Sequence, residues 1–189
     1  MLLRAMAESH IPAIIEACND WEELSSYGPP YWRPRSTAEL LRKIAAMSGP
    51  TVASEYNFVI DTGEALVGEC SLHTIDWRNR VAQIGICLWH PSARGHGTGH
   101  AAAEQLISWA DTQVGLLRLE AWVLVGNTPS LRLFTSLGFV HEGTLRGRYL
   151  QQGQRRDMQV LGRLSSPTEH VRLPVPSPAS MATTEGRAR

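Results

Sequence analysis

Cysteine is scarce in this chain: Cys18, Cys70 and Cys87 are the only three among 189 residues. An odd number at wide spacing fits neither a disulfide framework nor a zinc site, and is the usage of a cytoplasmic protein with reduced thiols. Net charge is also missing, with 18 basic residues against 18 acidic ones. No global field therefore draws the chain toward nucleic acid or an anionic membrane. Apolar runs fall short of the roughly 20 residues a membrane span needs. The first residues, MLLRAMAESH, carry neither a basic n-region nor a long apolar stretch, so a secretory leader is not expected. The length suits one domain with a substantial core, and no internal repeat is visible.

Composition shifts once. From Ser165 the chain reads SSPTEHVRLPVPSPASMATTEGRAR, with too few large apolar residues to offset the entropy of ordering. The expectation is one domain over 1–164 and a disordered tail over 165–189.

Turn signals divide the domain. Leu2–Ala7 reads as a strand, and Glu8-Ser9 opens a helix with Pro12 in its first turn. An aromatic connection, WEELSSYGPPYWRPR, leads to a helix capped by Ser36-Thr37 and ended by Gly49-Pro50. TVASEYNFVID, EALVGECSLHTID and VAQIGICLW follow as a meander, then a glycine loop and a helix to about Val114. LLRLEAWVLV reads as a strand, LRLFTSL as a short helix behind Asn127, and FVHEGTLR and RRDMQVLGRL as closing strands. The order βααβββαβαββ predicts an α/β fold with a mixed sheet.

The glycine loop, Pro91-Ser92-Ala93-Arg94-Gly95-His96-Gly97-Thr98-Gly99, raises the question of what it holds. A strand, a glycine-rich turn and a helix start form a recurrent phosphate cradle, because free amides and the helix dipole face the anion. No lysine follows the glycines as nucleotide hydrolysis would require, and His100 stands where the dinucleotide fingerprint needs Gly or Ala. Glu120 lies where a ribose-binding acid would be, yet the loop follows a meander rather than opening a βαβ unit. A third pattern, (Gln/Arg)-x-x-Gly-x-(Gly/Ala), is met at every fixed position from Arg94 to Gly99.

With QIGICLWHPSARGHGTG, LRLEAWVLVGNTPSLRLFTSLGF and HEGTLRGRYLQQGQRRDMQVLGRL in order, the sequence resembles the GNAT acyltransferase superfamily. More narrowly, it is similar to the ribosomal-protein N-terminal acetyltransferase branch. The resemblance spans Met1 to about Leu164. It implies the GNAT fold: a mixed, largely antiparallel sheet with two splayed central strands and about four helices. It also implies direct transfer of an acyl group, acetyl first of all, from acyl-CoA to an amine, without a metal. The coenzyme's pyrophosphate would sit on Arg94, Gly95, His96, Gly97, Thr98 and Gly99. Its pantetheine arm would pair with the exposed backbone of roughly Ile86–Trp89, Leu88 and Trp89 above all, and touch Asn127.

Many relatives protonate the leaving thiolate with a tyrosine where this chain has Phe134. Ser130, one turn earlier, matches a serine the ribosomal-type branch uses near the sulfur and is the expected acid. Gln83 replaces the usual glutamate, leaving the base open among Glu69, His73, His90, Glu120, Tyr149 and ordered water. Glu120 and Asp157 are read as structural partners, and Cys87 as a buried spectator. The acceptor would lie against the aromatic connection, with Trp21, Tyr31 and Trp32, and against the last loop, RGRYLQQGQRR, with Tyr149. Acids beside aromatics favour a cationic amine, while Arg146, Arg148, Arg155 and Arg156 favour an acidic group. A protein N-terminus and a small-molecule amine, whether a natural-product amine or a polyamine, all fit, for a monomer or homodimer. The alternatives are a carrier-protein phosphopantetheine as donor and a non-catalytic acyl-CoA-binding domain.

Overall fold

The computed structural model describes residues 2–25, 33–48 and 52–165. Its elements are β1 (Leu2–Ala5), α1 (Ile11–Ala17), α2 (Trp21–Leu24), α3 (Thr37–Ala45), β2 (Tyr56–Asp61), β3 (Leu66–Asp76), β4 (Val81–Leu88), α4 (Thr98–Trp109), β5 (Arg118–Leu124), α5 (Thr128–Ser136), β6 (Val140–Gln151) and β7 (Gln154–Leu164). The strands form one sheet in the order β1-β2-β3-β4-β5-β7-β6. Neighbours run antiparallel except β4 and β5, which are parallel. Tail residues beyond Ser165 lie outside the described residues.

Alternation along the strands sends successive side chains to opposite faces, and each face has its own core. Ile60, Leu72, Ile84, Leu119, Val123 and Leu161 pack with α4 and α5 through Ala102, Leu106 and Phe134. Val59 and Cys87 face the other way and pack with α1–α3 through Ile11, Ile14, Leu24 and Leu40. Burying each such aliphatic side chain contributes about 1.5–3 kcal/mol.

The expected order holds, with local differences. The helix predicted from Glu8 begins as a 3-10 turn, Glu8–His10, in which His10 Nδ1 accepts the Ala7 amide at 3.1 Å. A fifth helix, α2, lies inside the aromatic connection, where Asp20 Oδ1 accepts the Glu23 amide at 3.0 Å and so caps the turn. The helix read through to Val114 ends as a π-turn over Ala110–Val114. The last loop is shorter than expected: Arg146–Gln151 belong to β6, pairing Tyr149 with Arg156 and Gln151 with Gln154. Only Gln152 and Gly153 turn, both at positive φ (49° and 76°), the geometry of a two-residue hairpin.

Candidate active site

β4 and β5 touch only at their starts, through Val81 and Arg118, Ala82 and Leu119, Gln83 and Glu120. Beyond Gln83 each keeps its other neighbour, β4 staying with β3 to Leu88 and β5 with β7 to Leu124. The two therefore part, as expected of the central strands. A cavity of about 660 Å³ occupies the opening.

Its lining comes from both faces of the sheet. Ile84, Ile86 and Val123 point toward the α4–α5 side, where Asn127, Ser130 and Phe134 join them. Glu69, Ser71, His73, Gln83, Gly85 and Trp122 alternate to the α1–α3 side, where Lys43 joins them. The cavity thus passes through the sheet, and two reactants can meet in the gap from opposite faces.

At the end of β4, Gly95 and Gly97 adopt φ of 80° and 79°, a region closed to most L-residues, and α4 begins at Thr98 with no side-chain cap on its first amides. This arrangement fits a pyrophosphate. Arg94 is directed back at the strand: Nε and Nη2 donate to the Leu88 carbonyl at 3.2 and 2.9 Å, and Nη2 to that of Trp89 at 3.2 Å. Its Nη1 pairs with Glu23 of α2 at 2.7 Å. Arg94 therefore fixes the loop to the strand end and to α2. His96 is exposed.

Leu88 and Trp89 were the expected wall for the coenzyme arm. The Trp89 amide donates to the Val67 carbonyl at 3.0 Å, and the Leu88 and Trp89 carbonyls accept from Arg94. The Trp89 ring is buried with α1–α3. Of the strand end expected to face the arm, Ile86 lines the cavity, together with Ile84 and Gly85 before it.

Asn127 caps α5, its Oδ1 accepting the Ser130 amide at 3.2 Å, and both residues line the cavity. Phe134 is buried edge-on to Phe139, ring centroids 5.1 Å apart. Tyr149 also reaches the cavity; its hydroxyl is buried without a hydrogen-bond partner among the described residues, and burial raises its pKa. Tyr31 and Trp32 lie outside the described residues, and Trp21 sits at the start of α2.

The remaining candidate bases separate by surroundings. Glu69 Oε1 accepts from Arg35 at 3.2 Å and Lys43 at 3.3 Å. Glu120 binds Arg118 and the Trp122 indole, and Asp157 Oδ1 accepts the Gly147 amide at 2.7 Å, both structural roles. His90 is exposed and outside the cavity lining. His73 lines the cavity, its pKa lowered by burial and then by Lys43. Cys87 is buried on the α1–α3 side, and burial pushes the Cys18 thiol up to about 12. Sequence reasoning missed Gly85 and Lys43; a glycine inside the apolar run of β4 was the available signal.

A parallel strand pair that parts beside a glycine loop and helix start defines an acyltransferase of α/β architecture. The chain belongs to the GNAT family of N-acetyltransferases: the model of the acetyltransferase (GNAT) domain matches residues 1–140. A Bacillus licheniformis protein, the uncharacterized N-acetyltransferase p20, is 28% identical over 151 residues, 78% of this chain and 84% of its own. Solved structures share the fold. The spermidine N-acetyltransferase of Vibrio cholerae, in complex with CoA and spermine, superposes with TM-score 0.74 at 24% identity, over 86% of this chain and 94% of its own. RimL, the ribosomal L7/L12 alpha-N-protein acetyltransferase in complex with coenzyme A, gives 0.77 at 21% identity, over 86% and 92%. As a member of the family, this protein is an N-acetyltransferase that takes its acetyl group from acetyl-CoA. Among the described residues no helix is long and apolar enough to cross a membrane, and no group of three or more His, Cys, Asp or Glu is placed to hold a metal.

Proposed function

We propose that this enzyme acetylates a single primary amine, on a small molecule or a protein N-terminus, by direct attack in a ternary complex. The cavity through the sheet carries the reading. Its α4–α5 half offers Asn127 and Ser130 to a coenzyme arm whose phosphates rest on the amides of Gly95–Gly99. Its other half offers polar groups to the acceptor.

The charge there is mixed. Lys43 and Arg148 line it with Glu55 and Glu69, and the Glu69 carboxylate is already held by Arg35 and Lys43. Mixed charge supports one amine rather than a polyamine, although the Vibrio cholerae neighbour is named for spermidine. Trp122, with the Arg148 guanidinium 5.6 Å from its ring centroid, adds an aromatic wall.

Thermal unfolding with acetyl-CoA, coenzyme A and NAD tests the donor half. At 100 times its dissociation constant a ligand adds about 2.7 kcal/mol, a rise of roughly 5–10 °C for a domain of this size. A rise with acetyl-CoA and none with NAD is expected, followed by free-thiol release with amine acceptors. No rise with either coenzyme form would move the donor to a carrier-borne phosphopantetheine. Arg94→Ala is expected to raise the acetyl-CoA KM with little change in kcat, because it frees the loop from the Leu88 and Trp89 carbonyls. Initial rates at varied acetyl-CoA decide this, and an unchanged KM would detach Arg94 from the donor site.

A further inference from the structure

We infer that His73 Nε2 is the proton acceptor of the reaction, and that the hollow over Gly85 seats the acceptor's amine nitrogen. The inference rests on the amine-transfer reading above and assigns the base within it.

Three independent features converge on this spot. First, Gly85 has no φ that demands glycine, yet a Cβ built there would lie 3.3 Å from Ser71 Oγ and 3.5 Å from His73 Nε2. The missing side chain therefore leaves an atom-sized hollow on the cavity wall, within reach of an imidazole nitrogen and a hydroxyl. It sits two residues beyond Gln83, the last residue of β4 paired with β5, where the strands part. A nitrogen in the hollow approaches the gap from the α1–α3 side, opposite the half that holds Asn127 and Ser130.

Second, the backbone bends to hold the ring. Thr74 has φ of 52°, an outlier for a β-branched residue, and the β3–β4 register shifts between His73 and Asp76. The strained threonine places Oγ1 3.1 Å from His73 Nδ1. When Oγ1 accepts the Nδ1 proton, the tautomer is set and Nε2 is left with a lone pair toward the hollow. Strain of this kind persists where the surroundings over-determine it, as at catalytic sites.

Third, the ring's surroundings keep it neutral. Burial, then Lys43, lowers its pKa below the usual histidine value. The other titratable groups on the same cavity are Glu55 from the segment before β2, Glu69 and Cys70 from β3, and Arg148 and Tyr149 from β6; burial raises the pKa of the Cys70 thiol and so keeps it neutral. Glu69 is compensated by Arg35 and Lys43, while β4 contributes the neutral Gln83 and β5 Trp122. An imidazole that stays unprotonated at neutral pH can accept a proton from an arriving ammonium.

The ammonium gives one proton to Nε2, and its freed lone pair attacks the thioester carbonyl carbon. As the C–N bond forms and the C–S bond breaks, the second nitrogen proton reaches the sulfur through the Ser130 hydroxyl and solvent. The products are an amide, the coenzyme thiol and an imidazolium that returns its proton to water.

The test is acetyl transfer to ethylamine by the full chain, followed across the pH range of histidine titration. His73→Gln is expected to lower kcat by about 100-fold or more and to erase the acid limb below pH 6.5, with acetyl-CoA binding unchanged. Gly85→Ala, which fills the hollow at near-contact distances, is expected to raise the ethylamine KM severalfold and leave acetyl-CoA binding intact. A His73→Gln enzyme that keeps its rate and its acid limb overturns the assignment. Imidazole nitrogen resonances of the wild type supply the second readout. With acetyl-CoA bound, a His73 Nε2 signal that ethylamine leaves unmoved overturns the subsite; a signal that moves without turnover overturns the amine-transfer reading instead.

Discussion

Replacing Glu69 by alanine is expected to destabilise the fold by about 3–5 kcal/mol, the range for removing one partner of a buried ion pair. The Arg35 side chain is 1% exposed, and its Nη1 lies 3.2 Å from Glu69 Oε1. Arg35 Nε also faces Glu39 Oε1 at 3.0 Å, and Lys43 reaches Glu69 Oε1 at 3.3 Å. Three elements thus meet at one carboxylate: the approach to α3, α3 itself, and β3. Without it a guanidinium with almost no access to water keeps only part of its compensation, and several kilocalories of desolvation are no longer offset. Lys43→Ala removes a more exposed partner, 16% accessible, and should cost far less. Urea denaturation midpoints of the two variants give the comparison. Equal midpoints, or a Glu69→Ala loss below about 1 kcal/mol, the scale of exposed pairs, would mean that the cluster is more hydrated than its packing indicates.

The same cluster marks the boundary of what sequence could reveal. Strands were legible because apolar alternation is local, and helix ends because Ser36, Asn127 and Gly138 act on their own neighbours. The glycine loop was legible for the same reason, its positive φ at Gly95 and Gly97 following from residue type. Arg35 and Glu39 are helical-turn neighbours, but Glu69 lies 34 residues beyond Arg35, so only the folded sheet brings it to them. Arg94 shows how much a motif leaves open: its place in the loop does not announce the bonds that tertiary structure gives it with Leu88, Trp89 and Glu23. His73 was one base among five because nothing local distinguishes it. Its setting depends on a bulge at Thr74 and an empty position across the ladder at Gly85.

Loss of the Ser130 hydroxyl is expected to lower kcat by about 100-fold, the lower end for general acid catalysis, with the acetyl-CoA KM changed less than about threefold. Phe134 occupies the position from which many relatives donate a proton; it is buried against Phe139 and has no proton to give. Ser130, four residues earlier, lies on the same side of α5 and on the cavity. A serine hydroxyl is too weak an acid to surrender its proton outright. The role expected of it lies in the transition state: a hydrogen bond to the sulfur as charge builds, with one proton passed on as another is taken from water. The alternative, a serine present only for the helix cap, makes a different prediction. Asn127 Oδ1 accepts from the Ser130 backbone amide, which alanine retains, so Ser130→Ala should unfold at the wild-type temperature. A large fall in kcat without a fall in Tm therefore isolates the hydroxyl. An unchanged kcat would remove Ser130 from the chemistry and leave Tyr149, whose buried hydroxyl reaches the same cavity, as the donor that Tyr149→Phe must then silence.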